Sequence, residues 1–135
     1  MIFRQPEPAD MPLIRDSFWR AVMNTVPAAR GVSRAFLVSM LDRCLASPQW
    51  QAVILCPDPE TQDEIGGWAV WRSPTEILWV SVKPRYHGLG LGHALMEHIG
   101  AGPGPVYAPL IPSHLAARAA RHGYQLRHRP FLALE

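Results

Sequence analysis

The residues best suited to do chemistry lie in one stretch: Val82-Lys83-Pro84-Arg85-Tyr86-His87-Gly88-Leu89-Gly90-Leu91-Gly92-His93-Ala94-Leu95-Met96. An apolar run ends at Val82, three alternating glycines follow, and an amphipathic segment leaves the last of them. Glycine adopts backbone angles that other residues resist, and it lets a ligand come close to the main chain. The loop N–H groups and the first turn of the following helix then converge on one spot. A helix N-terminus carries about half a positive charge, so this is an anion site into which a pyrophosphate fits. A dinucleotide-binding loop would sit in the first βα unit of a parallel sheet, whereas this loop comes late in the chain. A P-loop needs Gly-Lys-Ser/Thr, which the segment lacks.

The surrounding elements must hold that loop in place. Ile2-Phe3-Arg4 reads as a short strand, and Pro8-Ala9-Asp10 prepares a helix with Asp10 as N-cap. Leu13, Ile14, Phe18, Ala21 and Val22 recur at helical spacing from Met11 to Asn24. Ser33 caps a second helix whose apolar face is Phe36, Leu37, Met40, Leu41, Cys44 and Leu45, and Pro48 ends it. Trp50–Cys56, Ile65–Arg72 and Glu76–Val82 read as three strands joined by short turns, which suits antiparallel pairing. Gly66-Gly67 marks a bulge or a close backbone approach. Trp68 and Trp71 must face opposite sides of their strand. A helix from Gly90 to Ile99 follows the loop, then a strand at Val106-Tyr107-Ala108, then a helix from Ser113 to His122 closed by Gly123. Tyr124-Gln125-Leu126 and Phe131–Leu134 are expected as a final pair of strands, with Arg127-His128-Arg129 as a solvated turn between them.

Composition narrows the function classes. The chain has 135 residues, 48% apolar and 18% charged, with a formal net charge of +2. That is a globular balance, and the length suits one domain spanning residues 1–135. There is no apolar run long enough to cross a membrane, and the polar start Met1–Asp10 does not resemble a signal peptide. A cytoplasmic protein with Cys44 and Cys56 as buried free thiols is expected. Six histidines invite a metal reading, but none shares ligand spacing with a Cys or Asp, so no metal is expected. After Glu97 there is no acid until Glu135, while Arg118, Arg121, Arg127 and Arg129 fall between them. This basic third suits an anionic ligand.

The segment Val82-x-Pro84-x-Tyr86-His87-Gly88-x-Gly90-x-Gly92-x-Ala94-Leu95-Met96 resembles motif A of the GNAT N-acetyltransferases, Arg/Gln-x-x-Gly-x-Gly/Ala preceded by Val-x-Pro. Arg85–Gly90 fits that pattern literally. The spacing from Val82 and Pro84 instead places His87 in the Arg/Gln position, with Gly90 and Gly92 as the motif glycines, and this register is preferred. The order of elements is similar to the GNAT plan throughout, and His122-Gly123-Tyr124 resembles the Gly-Phe that follows the family's penultimate helix. The Asp10–Trp19 opening and the Pro57-Asp58-Pro59 hairpin are similar to small GNAT proteins of phages and prophages.

The resemblance implies an α/β (α+β) GNAT fold with a mixed sheet of six to seven strands, a splayed pair and four helices. It implies acetyl-CoA as acyl donor, held between the strands Glu76–Val82 and Val106–Ala108. Val80, Ser81 and Val82 would take the pantetheine on their main chain. The amides of His87, Gly88, Leu89, Gly90, Leu91, Gly92 and His93 would take the diphosphate. An amine acceptor would attack the thioester directly, with Glu76 as the first choice of base and Asp63 and Glu64 behind it. The family's Tyr acid falls at Ala119, so Tyr107, His114 or Tyr124 would have to replace it, or water would suffice. The acceptor itself is not legible, although Asn24–Ser33 and the early helices should wall its site. GNAT proteins often dimerise, which makes a homodimer compatible with the sequence. Two other readings compete: a non-catalytic CoA-binding module, favoured by Ala119, and a nucleic-acid-associated modification protein, resting on the basic third alone. No helix-turn-helix or stacking pattern supports the latter.

Overall fold

The computed structural model describes the backbone of residues 1–135 and every side chain but that of Ala116. The chain runs β1 (Ile2–Arg4), α1 (Met11–Thr25), α2 (Arg34–Ala46), β2 (Gln51–Cys56), β3 (Gly67–Ser73), β4 (Glu76–Val82), α3 (Leu91–Ile99), β5 (Gly104–Ala108), α4 (Leu115–Arg121) and β6 (Tyr124–His128). Short 3₁₀ turns occupy Pro8–Asp10, Pro27–Ala29, Pro84–Tyr86 and Leu132–Leu134. The six strands form one sheet in sequence order. β1 to β4 pair antiparallel, and β4–β5 and β5–β6 pair parallel.

Each face of the sheet carries its own core. Ile14, Phe18 and Val22 of α1 and Leu37, Met40, Leu41 and Cys44 of α2 pack with Ile54, Cys56, Trp68, Val70, Leu78 and Trp79. On the other face Leu91, Leu95 and Ile99 of α3 meet Val53, Leu55, Ala69, Trp71 and Ile77. Trp68 and Trp71 therefore do lie on opposite faces, as alternation along a strand requires. Phe18 is completely buried, and truncating such a side chain to Ala costs about 3–5 kcal/mol.

β4 departs from regular pleating at the point that matters for the site. Val70 pairs with Trp79 but Trp71 pairs with Ile77, so Leu78 is the extra residue of a β-bulge. Consecutive residues Leu78 and Trp79 both pack on the α1/α2 side as a result. The close approach expected of Gly66-Gly67 is present. A Cβ on Gly66 would meet Pro57 Cγ at 2.5 Å, and one on Gly67 would meet the Ser81 carbonyl oxygen at 2.5 Å.

Several expectations need correction. Phe131–Leu134 is not a strand. Leu132–Leu134 is a 3₁₀ turn, so the sheet has six strands. Leu132 and Ala133 are adjacent and both buried in the same cluster, which a strand cannot achieve on one face. Pro130 also has no N–H to give a ladder. Arg127 and His128 belong to β6 rather than to a turn. Asp10 does precede α1, but its carboxylate makes no cap to that helix. It accepts from Arg4 Nη1 at 2.7 Å, from Arg4 Nη2 at 2.9 Å and from the Glu7 N–H at 2.7 Å. Ser33 caps α2 as expected, accepting from the Phe36 N–H at 3.1 Å. α4 begins later than expected, with His114 rather than Ser113 at the N-cap position.

Candidate functional site

β4 and β5 share a single registered pair, Glu76 with Tyr107. The Tyr107 N–H donates to the Thr75 carbonyl at 2.7 Å beside it. Beyond this pair the two chains part. The segment after β5 contains Pro109 and Pro112, which have no N–H to continue the ladder. It is drawn aside by the Ser113 N–H donating to the Thr25 carbonyl at 2.8 Å, at the end of α1. His128 Nε2, 2.9 Å from the Pro109 carbonyl oxygen, holds it from β6. The β4 bulge at Leu78 turns β4 at the same level. The opening between them is a cavity of about 470 Å³. It passes through the sheet: its lining includes Leu78, Trp79 and Leu110 from the α1/α2 side and Ile77, Val80, Val82 and Val106 from the α3 side.

The glycine loop forms one end of this cavity. Gly88 and Gly90 have φ of 80° and 82°, a left-handed backbone that other residues adopt only with strain. Gly90 is the N-cap of α3 and has no side chain to satisfy the first-turn amides, and no acid stands in that turn. The N–H groups of Leu91, Gly92 and His93 are the ones such a helix start leaves unpaired. A Cβ on Gly92 would meet only Val82 Cγ2, at 3.9 Å. The loop is tied down behind the site. The Lys83 N–H donates to the Gly66 carbonyl at 2.8 Å, and Tyr86 O–H donates to Glu64. That bond raises the Tyr86 phenol above its ordinary range. Arg85 Nη2 adds an ion pair to Glu64 at 3.1 Å.

Among the expected site residues, Val80, Val82, His87, Gly88, Gly90, Leu91, Gly92, His93, His114 and Tyr124 line the cavity. Ser81 and Leu89 are not among the lining residues; Leu89 is two-thirds exposed. Tyr107 packs on the α1/α2 side and Glu76 stands outside the lining. Glu76 is committed elsewhere. It accepts from Arg72 Nη2 at 2.6 Å, from Ser73 Oγ at 2.9 Å and from Arg129 Nη1 at 3.2 Å. Arg72 first, with Ser73 and Arg129 behind it, holds this carboxyl below the usual carboxylate range. Ala119 lines the cavity where the common acid would stand.

Three lining residues were not singled out for this site by sequence. Arg118 of α4 and His122 at its C-cap line the cavity, and the His122 ring lies 6.2 Å from that of His93. The spacing of residues 118 and 122 on one helix face was the available signal. Trp79 is the third: among the described residues, its indole Nε1 is the buried side-chain atom with no hydrogen-bond partner. Leaving such a donor unsatisfied costs about 1–3 kcal/mol. Among the described residues no Asp or Glu lines the cavity, whose polar lining includes Arg118, four histidines and the N-terminal end of α3. The slot is lined by residues that belong to both faces of the sheet. Among the described residues, no group of three or more His, Cys, Asp or Glu is placed to hold a metal, and no helix is long and apolar enough to cross a membrane.

No family model and no curated protein sequence matches the chain. Solved structures do. A candidate acetyltransferase of the GNAT family from Desulfovibrio desulfuricans superposes with a TM-score of 0.50 at 22% identity, over 73% of this chain and 62% of that one. The match thus spans about three fifths of that neighbour's length. A transcriptional regulator from Bacillus halodurans superposes with a TM-score of 0.51 at 13% identity, over 95% of this chain and 81% of that one. At these identities the likeness is one of fold. A six-stranded mixed sheet with four helices, parted between β4 and β5 above a glycine loop, is a GNAT fold.

Proposed function

We propose that the protein is an acyl-CoA-dependent N-acyltransferase that moves an acetyl group from acetyl-CoA to a primary amine. The observation that carries this reading is the parting of β4 from β5 after the single Glu76–Tyr107 pair, directly above the start of α3. An extended donor with two amides and a diphosphate suits such a slot. The main chain of β4 from Val80 to Val82, with no strand registered on that side, offers ladder groups to the amides. The N–H groups of the Gly88–His93 loop and Arg118 offer charge-assisted bonds to the diphosphate.

With both substrates bound, the amine lone pair attacks the thioester carbonyl carbon. A C–N bond forms, the C–S bond breaks, and the products are an amide and the CoA thiol. A main-chain N–H near Val82 stabilises charge on the carbonyl oxygen, and proximity supplies much of the rate. The amine's proton leaves through water, since no carboxylate lines the cavity. The leaving thiolate takes its proton from His114, Tyr124 or water. A thiol with an ordinary pKa of about 8.5 needs little help. In this reading Glu76 holds the closed end of the slot rather than serving as base.

A second reading is favoured by Ala119 and by the carboxylate-free lining: a CoA-binding module of the same fold without turnover. Incubation with acetyl-CoA and a mixed set of primary amines separates the two. Acylated amine detected by mass spectrometry, with matching release of CoA, supports the enzyme. Saturable CoA binding without either product supports the module.

A further inference from the structure

The glycine loop has little packing of its own. A Cβ on Gly88 or on Gly90 would meet nothing within 4 Å, and Leu89 is two-thirds exposed. A segment with so few contacts keeps one arrangement only where its ends are fixed. Both ends rest on residues 64–66, the last of the connection between β2 and β3. At the leading end the Lys83 N–H donates to the Gly66 carbonyl at 2.8 Å, and Tyr86 O–H donates to the Glu64 carboxylate. At the trailing end Leu91, the first residue of α3, lies so close to Gly66 that a Cβ there would meet Leu91 Cδ2 at 2.8 Å.

Residues 64–66 are themselves held. The Glu64 N–H donates to the Thr61 carbonyl at 2.9 Å and the Gly66 N–H to the Leu55 carbonyl at 2.8 Å, while Ile65 is buried in the α1/α2 core. Glu64 is the side chain of this platform that reaches the loop. Arg85 Nη2 pairs with it at 3.1 Å, and the Arg85 guanidinium lies over the Tyr86 ring, 4.9 Å from its centroid. An exposed ion pair contributes little by itself. A hydrogen bond to a carboxylate belongs to the stronger class, and the Tyr86 ring that makes it packs against the α3-side core. Tyr86 lines the cavity and Glu64 does not, so Glu64 stands behind Tyr86 rather than in the slot.

We infer that Glu64 is a positioning residue: through Tyr86 it holds the Gly88–Gly92 loop in the arrangement that receives the donor's diphosphate. The identity of that ligand rests on the acyl-transfer reading, whereas the hold on the loop does not. Without the bond the loop is receptive for only a fraction of the time, and apparent affinity falls by that fraction.

The test compares Glu64→Ala, Glu64→Gln, Tyr86→Phe and the double variant Glu64→Ala/Tyr86→Phe in the full chain. ¹⁵N relaxation NMR reads the loop amides without ligand, and calorimetry reads acetyl-CoA binding. In Glu64→Ala and in Tyr86→Phe the order parameters of Gly88, Leu89 and Gly90 should fall below about 0.6, while β2 and β3 stay near about 0.85. Acetyl-CoA should bind each of the two about tenfold more weakly, as for a loop receptive about a tenth of the time. The double variant should be no weaker than the weaker single, because both changes remove one bond. Glu64→Gln should keep most of the affinity, since its amide oxygen still accepts from Tyr86. In turnover the KM for acetyl-CoA rises while kcat and the KM for the amine hold. A lowered melting temperature with wild-type loop order would leave Glu64 a stability residue and overturn the inference. So would losses that add in the double variant, or a Glu64→Gln as weak as Glu64→Ala. If the wild type binds no acetyl-CoA, the acyl-transfer reading fails, and the loop order parameters then decide the role of Glu64 by themselves.

Discussion

Arg129, just beyond β6, reaches across β5 to Glu76 at the start of β4, its Nη1 donating to Glu76 Oε2 at 3.2 Å. The contact sits beside the one registered pair that joins β4 to β5. Arg129 also pairs with Glu135, and Arg72 grips the other side of Glu76 from β3. Three strands are thereby clasped at the closed end of the slot, and the chains are free to part above it.

The clasp predicts a pH-dependent stability. Arg72 and Arg129 hold the Glu76 carboxyl below its ordinary range, so its folded pKa is depressed. Its contribution is present above the unfolded carboxylate pKa and is lost as pH falls through the lower folded value. Glu76→Gln should destabilise the protein by about 1–2 kcal/mol at neutral pH. The gap to the wild type should close in acid denaturation below the carboxylate range. The pH profile of any turnover should keep its shape in this variant, since Glu76 does not line the cavity.

The two motif glycines should respond in opposite ways. Gly90 has φ of 82°, so Gly90→Ala forces an L side chain into the left-handed region at a cost of about 1–2 kcal/mol. Gly92 is helical and has open space around it. Gly92→Ala should stabilise the free protein by about 0.5–1 kcal/mol while placing a methyl where the ligand must approach. Thermal melts and CoA titrations of both variants check this: Gly90→Ala lowers Tm, Gly92→Ala raises it, and both weaken CoA.

Arg118 is exposed and lines the cavity. Arg118→Ala should leave the unfolding free energy within about 0.5 kcal/mol of wild type. CoA affinity should fall, and its dependence on salt should become shallower. Calorimetry at two ionic strengths measures both.

Cys44 and Cys56 are free and buried, and burial pushes the Cys44 thiol up to about 11. Neither should react with a maleimide in the native protein, because both sulfurs are buried out of the reagent's reach, and Cys44 is also held as the unreactive thiol. Labelling of both on unfolding, with none before it, is the expected mass-spectrometric result.

Much of this was legible beforehand. The glycine loop, the strand before it and the helix after it were readable because φ > 0 demands glycine and because apolar periodicity marks both flanks. The C-terminal end was less so. Phe131–Leu134 has strand-like composition, but Leu132 and Ala133 are needed side by side in one core, and only the folded chain reveals that. The commitments of Glu76, the first choice of base, were not legible for a similar reason. Its position on β4 is visible in sequence, whereas Arg72 and Arg129 converge on it only after β3 and β6 are in place. The bulge at Leu78, which puts Leu78 and Trp79 on one face, is announced by no spacing.

The most direct test of the central claim is calorimetric titration of the purified protein with acetyl-CoA, with CoA as the comparison. One-site binding at micromolar concentration, weakened by Gly90→Ala and by Arg118→Ala, is the predicted result. No heat at millimolar ligand would contradict it: the parted strands and glycine loop would then be a GNAT scaffold that does not hold an acyl-CoA.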